Sequence, residues 1–136
     1  MRGKIAIRLR QLLYEACRVN RWWTSEMSIQ EDHIHLVVQI PPQYSVAEVV
    51  QIFKGGTSRV LRKEYAELEE FLWGDSFWAD GYFAETVGQV DEEVVKKYIR
   101  KHFKAPYPDY AKGPKPRALA RGVASLYLSL DTAFCP

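Results

Sequence analysis

Apolar and polar residues follow helical and strand periods in the first half of the chain. An apolar stripe at helical spacing predicts a helix over residues 3–20. Two strands are predicted over 22–30 and 33–40, and the short acidic turn between them predicts a β-hairpin. A second helix is predicted from residue 46 to about 65, because Ser45 and Glu48 match a capping box. Helices and strands are thus both predicted in this half of the chain.

The second half of the chain is less regular. A short strand is predicted over 81–87, after a stretch rich in aromatic residues and glycine, and a helix is predicted over 91–104. Four prolines then predict a linker, and alternating leucines predict a last strand over 124–134. We therefore expect one domain over 1–104, followed by a proline-rich linker and tail over 105–136.

Composition narrows the class of protein. The chain has 136 residues, 47% of them hydrophobic, which suits a single folded domain. The formal net charge of +2 does not indicate a nucleic-acid partner, so that case depends on where the charges lie. The two cysteines form no metal or redox spacing, and no apolar run is long enough to cross a bilayer. We expect a cytoplasmic protein without a membrane partner.

Two histidines lie at the start of the predicted strand over 33–40. Side chains alternate faces along a strand, so His33 and His35 point the same way, roughly 7 Å apart at Cα. Two imidazoles at that distance can hold one divalent ion. A bare His-x-His is more often two ordinary strand histidines, since short metal motifs have many false matches.

The helix over 46–65 contains a second candidate feature. Gly55-Gly56 is expected to interrupt this helix, at a cost of about 1 kcal/mol for each glycine. Exposed N–H groups, hydroxyls and cations around such a break suit a phosphate backbone. A simple kink with solvated lysines is the alternative. The candidate DNA-binding residues here are Lys54, Thr57, Ser58, Arg59 and Arg62.

A third feature lies in the helix over 91–104. Tyr98 and His102 are four residues apart and therefore share one face. The neighbouring Lys97 and Lys101 add positive charge and are further candidates for DNA contact. Taken alone, the pair is a weak signal, because a tyrosine on an apolar stripe is more often a core residue and a histidine in a last turn often interacts with the helix dipole.

Several blocks of the chain, taken in order, resemble one known family. Asp32 to Val38, followed by two prolines, is similar to the histidine strand of the HUH nuclease superfamily. Phe53 to Arg59 is similar to its Lys-Gly helix, and Gly81-Tyr82-Phe83 to its aromatic block. Val94 to Ile99 is similar to the helix that carries the nucleophile. From residue 6 to 103 the chain thus resembles the single-tyrosine transposases of the smallest insertion sequences, the IS-two-hundred/IS-six-hundred-and-five group.

The resemblance implies a fold, a site and a reaction. The implied fold is of the α+β class and ferredoxin-like: an antiparallel sheet with helices on one face and a further C-terminal helix that carries the nucleophile. His33 and His35 match two metal ligands, and His102 stands where relatives commonly have Gln or Asn as the third. Tyr98 matches the nucleophile. The implied enzyme is a homodimer that recognises hairpins in single-stranded DNA and cleaves and rejoins it with Mg²⁺ or Mn²⁺, through a 5′-phosphotyrosine link.

The start of the chain departs from this family. The family's first strand is central in the sheet, whereas this chain begins directly in its first helix. Either the reading frame is truncated, or the alternating segment over 124–134 fills the gap. We favour truncation or read-through, because such tails commonly lie outside the family core. Two rival functions follow: a catalytically inactive remnant that binds hairpin DNA, and another HUH enzyme, such as a replication initiator or a repeat-associated relative.

Overall fold

The computed structural model of the protein describes residues 3–68, 77–87, 89–102 and 124–132. The described part contains helices and strands in an α+β arrangement, as predicted. No helix in it combines the length and the apolar character that a membrane span requires. The predicted linker lies outside the described residues. The elements are α1 (Gly3–Asn20), β1 (Trp23–Ile29), β2 (His33–Ile40), α2 (Val46–Glu64), β3 (Phe83–Val87), α3 (Gln89–His102) and β4 (Ala124–Asp131).

The four strands form one antiparallel sheet in the order β1-β2-β4-β3. Strand β4 therefore lies between β2 and β3 and pairs with both of them. Its pairing with β2 runs from His33 opposite Asp131 to Ile40 opposite Ala124, which is the full length of β2. This is the place at which the family resemblance leaves a gap. In the structure the C-terminal segment fills this gap as a central strand, although it was expected to lie outside the core.

Helices α1 and α2 contribute to the main core on one face of the sheet. Ile34 and Leu36 of β2 and Leu128 of β4 are completely buried in this core. Leu9 of α1 and Phe53 of α2 belong to the same cluster. Burying one such side chain contributes about 1.5–3 kcal/mol. Because side chains alternate along a strand, this core also determines that the intervening residues of β2 and β4 point to the opposite face.

Helix α2 is continuous through its glycine pair, which corrects the predicted interruption. The Ser45–Glu48 capping box is present, with Glu48 N donating to Ser45 Oγ and Ser45 N donating to Glu48 Oε1, both at 3.1 Å. Phe53 and Thr57, on either side of Gly55-Gly56, are buried against the core. The burial of this face outweighs about 1 kcal/mol per glycine, so the N–H groups expected at a break remain inside the helix.

Helix α3 packs on the opposite face of the sheet. Ile99 is 1% exposed, yet it lies outside the main cluster that α1 and α2 cover, as does the buried Val37. Arg100 Nε donates to Glu26 Oε2 of β1 at 2.8 Å. Val37 lies opposite Glu26 in the sheet register. The helix is thus held over the face that also carries the histidines of β2.

A β-bulge in β1 makes the contact between Arg100 and Glu26 possible. The register shifts between Thr24, which is opposite Val38, and Glu26, which is opposite Val37. Without the extra residue, Thr24 and Glu26 would share one face. With it, Thr24 Oγ1 contacts Cys17 Sγ of α1 at 3.0 Å in the core, while Glu26 faces α3.

Candidate active site

The two histidines of β2 lie side by side on the sheet face covered by α3. The centroids of the His33 and His35 rings are 4.8 Å apart, and the ring planes are nearly perpendicular, at 85°. Ile34, between them in sequence, points into the main core on the other face. The alternation predicted for this strand therefore holds, and it brings the two imidazoles together.

A carboxylate orients the first of these rings. His33 Nδ1 and Asp32 Oδ1 are 2.6 Å apart, and this hydrogen bond is the main reason that the pKa of Asp32 lies below its usual value. The backbone of Asp32 is also held, because Thr132 N and Thr132 Oγ1 donate to its carbonyl oxygen at 2.8 and 3.0 Å. A carboxylate that accepts a hydrogen bond from one ring nitrogen commonly orients a histidine that ligates a metal through the other nitrogen.

A phenol from the C-terminal strand contacts the second ring. His35 Nδ1 and Tyr127 Oη are 2.6 Å apart, and the two rings stack with centroids at 5.9 Å and an angle of 19°. Sequence reasoning missed Tyr127. The signal was present, since the alternation of β4 puts Tyr127 and Ser129 on one face. What it did not contain was the identity of the neighbouring strand.

The environment of His35 keeps its imidazole neutral. Burial of the ring, followed by the nearby His33, lowers the pKa of His35 to about 4, and Asp131 opposes this shift. A neutral imidazole has a nitrogen lone pair to offer, so no proton has to leave when a cation binds. Near neutral pH, His35 is therefore in the form that a metal ligand requires.

The candidate nucleophile lies on the same side of the sheet. Tyr98 is 55% exposed on α3, next to the buried Ile99. Burial raises the pKa of Tyr127, and the nearby Tyr98 adds to this shift. Tyr98 is therefore a neighbour of the phenol that contacts His35. His102, the predicted third ligand, is the last residue of α3, and its side chain lies outside the described part.

Lys54 is engaged in a contact between α2 and the segment before β3. Its Nζ donates to Ala79 O at 2.9 Å and to Gly81 O at 2.6 Å, and it lies 6.0 Å from the centroid of the Tyr82 ring. Burial lowers the pKa of Lys54, while Asp80 and Asp131 oppose the change. These contacts give Lys54 a structural role that its prediction as a DNA contact did not include.

Thr57 likewise faces the interior. It is 1% exposed, its hydroxyl donates to Phe53 O at 2.6 Å, and it accepts a hydrogen bond from Trp78 Nε1 at 3.0 Å. Its burial does not support the predicted role in DNA binding. Of the other candidates, Ser58 and Arg62 are half-buried, whereas Arg59, Lys97 and Lys101 are exposed.

The donor set fits one side of a divalent-metal site. In the described ranges, no group of three or more His, Cys, Asp or Glu residues is placed to hold a metal ion. The pair contributed by β2 has suitable chemistry, because His35 is neutral and His33 is oriented by a carboxylate. A site with few protein ligands leaves positions for water and for phosphate oxygens, as Mg²⁺ and Mn²⁺ prefer.

These features define a class: an α+β protein with a histidine pair and a helix-borne tyrosine on one sheet face. Comparison with known proteins identifies the family within this class. The family model described as "Transposase IS200 like" matches residues 1–102. The chain is 30% identical over 97 residues to the ISDra2 transposase TnpA of Deinococcus radiodurans, covering 71% of this chain and 69% of that protein.

Two further relatives come from Salmonella. The transposases for insertion sequence element IS200 of Salmonella typhimurium and Salmonella typhi are each 33% identical over 69 residues, which is 51% of this chain and 45% of theirs. The match therefore spans less than half the length of these two proteins. The chain belongs to the IS200-like transposase family.

Proposed function

We propose that this protein is a single-stranded DNA transposase that cleaves and rejoins the ends of an insertion sequence, with Tyr98 as the nucleophile. Membership of the IS200-like family supports a function in DNA transposition. The observation that carries the proposal for the site is the position of Tyr98, which is exposed on α3, the helix that packs over the sheet face of His33 and His35. A nucleophile and a histidine pair on one sheet face suit phosphoryl transfer.

The proposed reaction exchanges one phosphate ester for another. The phenolic oxygen of Tyr98 attacks the scissile phosphorus, its proton passes to solvent, and the bond from phosphorus to the 3′-oxygen breaks. The 3′-oxygen takes up a proton and leaves as a free 3′-OH, while the 5′ end stays on the protein as a phosphotyrosine. Because one phosphodiester bond replaces another, the bond energy is retained. A 3′-OH can therefore later attack the phosphotyrosine and rejoin strands without ATP.

His33, His35 and His102 are the residues proposed to hold a Mg²⁺ or Mn²⁺ ion. When bound, such an ion polarises the phosphate and screens its charge from the attacking oxygen. The protein's own contribution is positional: β2 presents two oriented rings, and α3 presents Tyr98 above the same face. The exposed side chain of Tyr98 is accessible to an incoming strand.

The proposed partners are a DNA hairpin and a second copy of the chain. Exposed Arg59, Lys97 and Lys101 are the candidates best placed to contact phosphates, because their side chains reach solvent. Val94 and Tyr98, one turn apart on α3, are exposed as well and suit contact with another subunit. We propose that the protein is a homodimer, which light scattering on the purified protein would test. We propose that it acts in the cytoplasm.

Trapping of the covalent adduct tests this function. Single-stranded oligonucleotides tiled across the DNA that flanks the gene are incubated with the protein and Mn²⁺, then separated on a denaturing gel. A 5′-phosphotyrosine retains a label placed at the 3′ end of the oligonucleotide and loses one placed at the 5′ end. We expect a 3′-labelled adduct that EDTA prevents and Tyr98→Phe abolishes. Tyr82→Phe is the matched control, since Tyr82 is also an exposed tyrosine, 46% exposed.

The same assay separates the rival functions. Tyr98→Phe should still shift the hairpin on a native gel, because loss of one hydroxyl does not change the DNA-binding surface. An adduct that persists in Tyr98→Phe would refute the assignment of the nucleophile. Hairpin binding without any adduct would instead identify an inactive remnant, and cleavage at a replication origin would identify a different HUH enzyme.

A further inference from the structure

The contact between Tyr127 and His35 is a feature that the proposed reaction does not use. The phenolic oxygen lies 2.6 Å from Nδ1 of the imidazole, which is the distance of a short hydrogen bond. It joins residues 92 positions apart in the chain. The contact exists because β4 is inserted beside β2, with Tyr127 opposite Val37.

The direction of this hydrogen bond determines what His35 can bind. If the phenol donates to Nδ1, the proton of the neutral ring is on Nε2, and neither nitrogen can accept a cation. If the ring donates from Nδ1 to the phenolic oxygen, Nε2 carries a lone pair and can act as a ligand. The second arrangement is the one found in metal-binding histidines whose other ring N–H donates to a neighbouring acceptor.

We propose that Tyr127 is a positioning residue: it accepts the Nδ1–H of His35, which fixes the tautomer and the ring orientation that leave Nε2 available for the cation. The inference rests on the proposed function, since it assumes that His35 binds a cation. Asp32 has the same role towards His33 Nδ1, at the same distance of 2.6 Å. The two rings would therefore be oriented alike, one by a carboxylate and one by a phenol.

The surroundings of Tyr127 hold the phenol in place. Its neighbours Leu126 and Leu128 are buried in the main core on the other side of the sheet, so β4 cannot rotate. On the outer face, the Phe83 ring lies at 5.9 Å and 67° to the Tyr127 ring, and His35 stacks on it at 19°. Because the Tyr127 side chain lies between these two rings, its rotamer is restricted and its hydroxyl stays next to His35.

The tautomer can be measured directly in the metal-free protein. Long-range ¹H–¹⁵N NMR correlations distinguish Nδ1–H from Nε2–H imidazoles, and the chain has 3 histidines, so assignment by single substitutions is feasible. We expect His35 to be mainly the Nδ1–H tautomer, and Tyr127→Phe to shift it towards Nε2–H. Tyr65→Phe is the matched control, because Tyr65 Oη donates to Lys4 O, remote from this face, and should leave the tautomer unchanged.

Binding of Mn²⁺, measured by electron paramagnetic resonance, is the second readout. Tyr127→Phe should weaken Mn²⁺ binding by about tenfold or more, whereas Tyr65→Phe should not change it. A wild-type His35 with its proton on Nε2, or a tautomer unaltered by Tyr127→Phe, would overturn the inference. If Tyr127→Phe shifts the tautomer but the wild type binds no Mn²⁺, the positioning role stands and the proposed metal-dependent function fails. If the Tyr127→Phe variant does not fold, the tautomer of wild-type His35 still tests the inference.

Discussion

Leu128→Ala tests whether β4 is an integral part of the sheet. Leu128 lies at the centre of β4, opposite Leu36 of β2 on one side and Ala84 of β3 on the other. It is 0% exposed and belongs to the main core. If the C-terminal segment were an attached tail, shortening this side chain would have little effect on the rest of the protein.

The expected magnitude follows from that burial. Replacing a fully buried leucine by alanine costs about 2–5 kcal/mol, from lost transfer free energy and from the cavity that remains. A site enclosed by paired strands on both sides collapses poorly, so we expect about 3 kcal/mol. That is a large share of the roughly 5–15 kcal/mol that stabilises an ordinary domain. For a chain of this length it corresponds to a fall in Tm of about 10 °C.

Urea unfolding followed by circular dichroism measures this change. The midpoint should fall while the slope stays constant, because the same surface is exposed on unfolding. Val19→Ala is the control, since Val19 is 75% exposed and its truncation should leave the midpoint nearly unchanged. A Leu128→Ala variant within about 0.5 kcal/mol of the wild type would refute the central position of β4, because effects of that size are typical of surface sites.

Three further predictions test individual contacts. Gly56→Ala should stabilise the protein by about 0.5–1 kcal/mol in urea unfolding, since a Cβ there meets nothing within 4 Å and α2 is continuous; destabilisation would contradict the continuous helix. Thr57→Val should cost about 1–3 kcal/mol, because it removes the acceptor of the Trp78 Nε1 hydrogen bond; an unchanged urea midpoint would contradict this. Burial raises the pKa of Cys17 to about 12, so in a Cys135→Ser background a thiol reagent at pH 8 should label the protein only after unfolding; rapid labelling of the native protein would be inconsistent with the burial.

Local pattern was sufficient to predict most elements of this fold. The helix over 3–20 and the strand over 33–40 have the predicted bounds, because each has one apolar face at a clear period. The last strand was predicted by its alternation and ends at Asp131 in the structure. The histidine pair was predictable for the same reason, since alternation alone puts both rings on one face.

Long-range pairing was not predictable from local pattern. The interruption at Gly55-Gly56 was expected from intrinsic propensity, but the burial of Phe53 and Thr57 outweighed it. Thr57 was assigned to DNA because its hydroxyl was assumed to face solvent, whereas Trp78 contacts it in the interior. In each case a residue distant in sequence supplied the deciding contact.

The position of β4 makes the candidate site depend on the same packing that stabilises the domain. Asp32 and His35 are both held from this strand or its end: Thr132 contacts the backbone of Asp32, and Tyr127 contacts the ring of His35. Neither contact can form unless β4 is paired with β2 in the observed register, since a slip of one residue would turn Tyr127 towards the core. The leucines that bury β4 therefore also set the register that orients the imidazoles. A core substitution that shifts this register should therefore also disturb the orientation of the histidine pair, which ¹H–¹⁵N correlations of the imidazole nitrogens would detect.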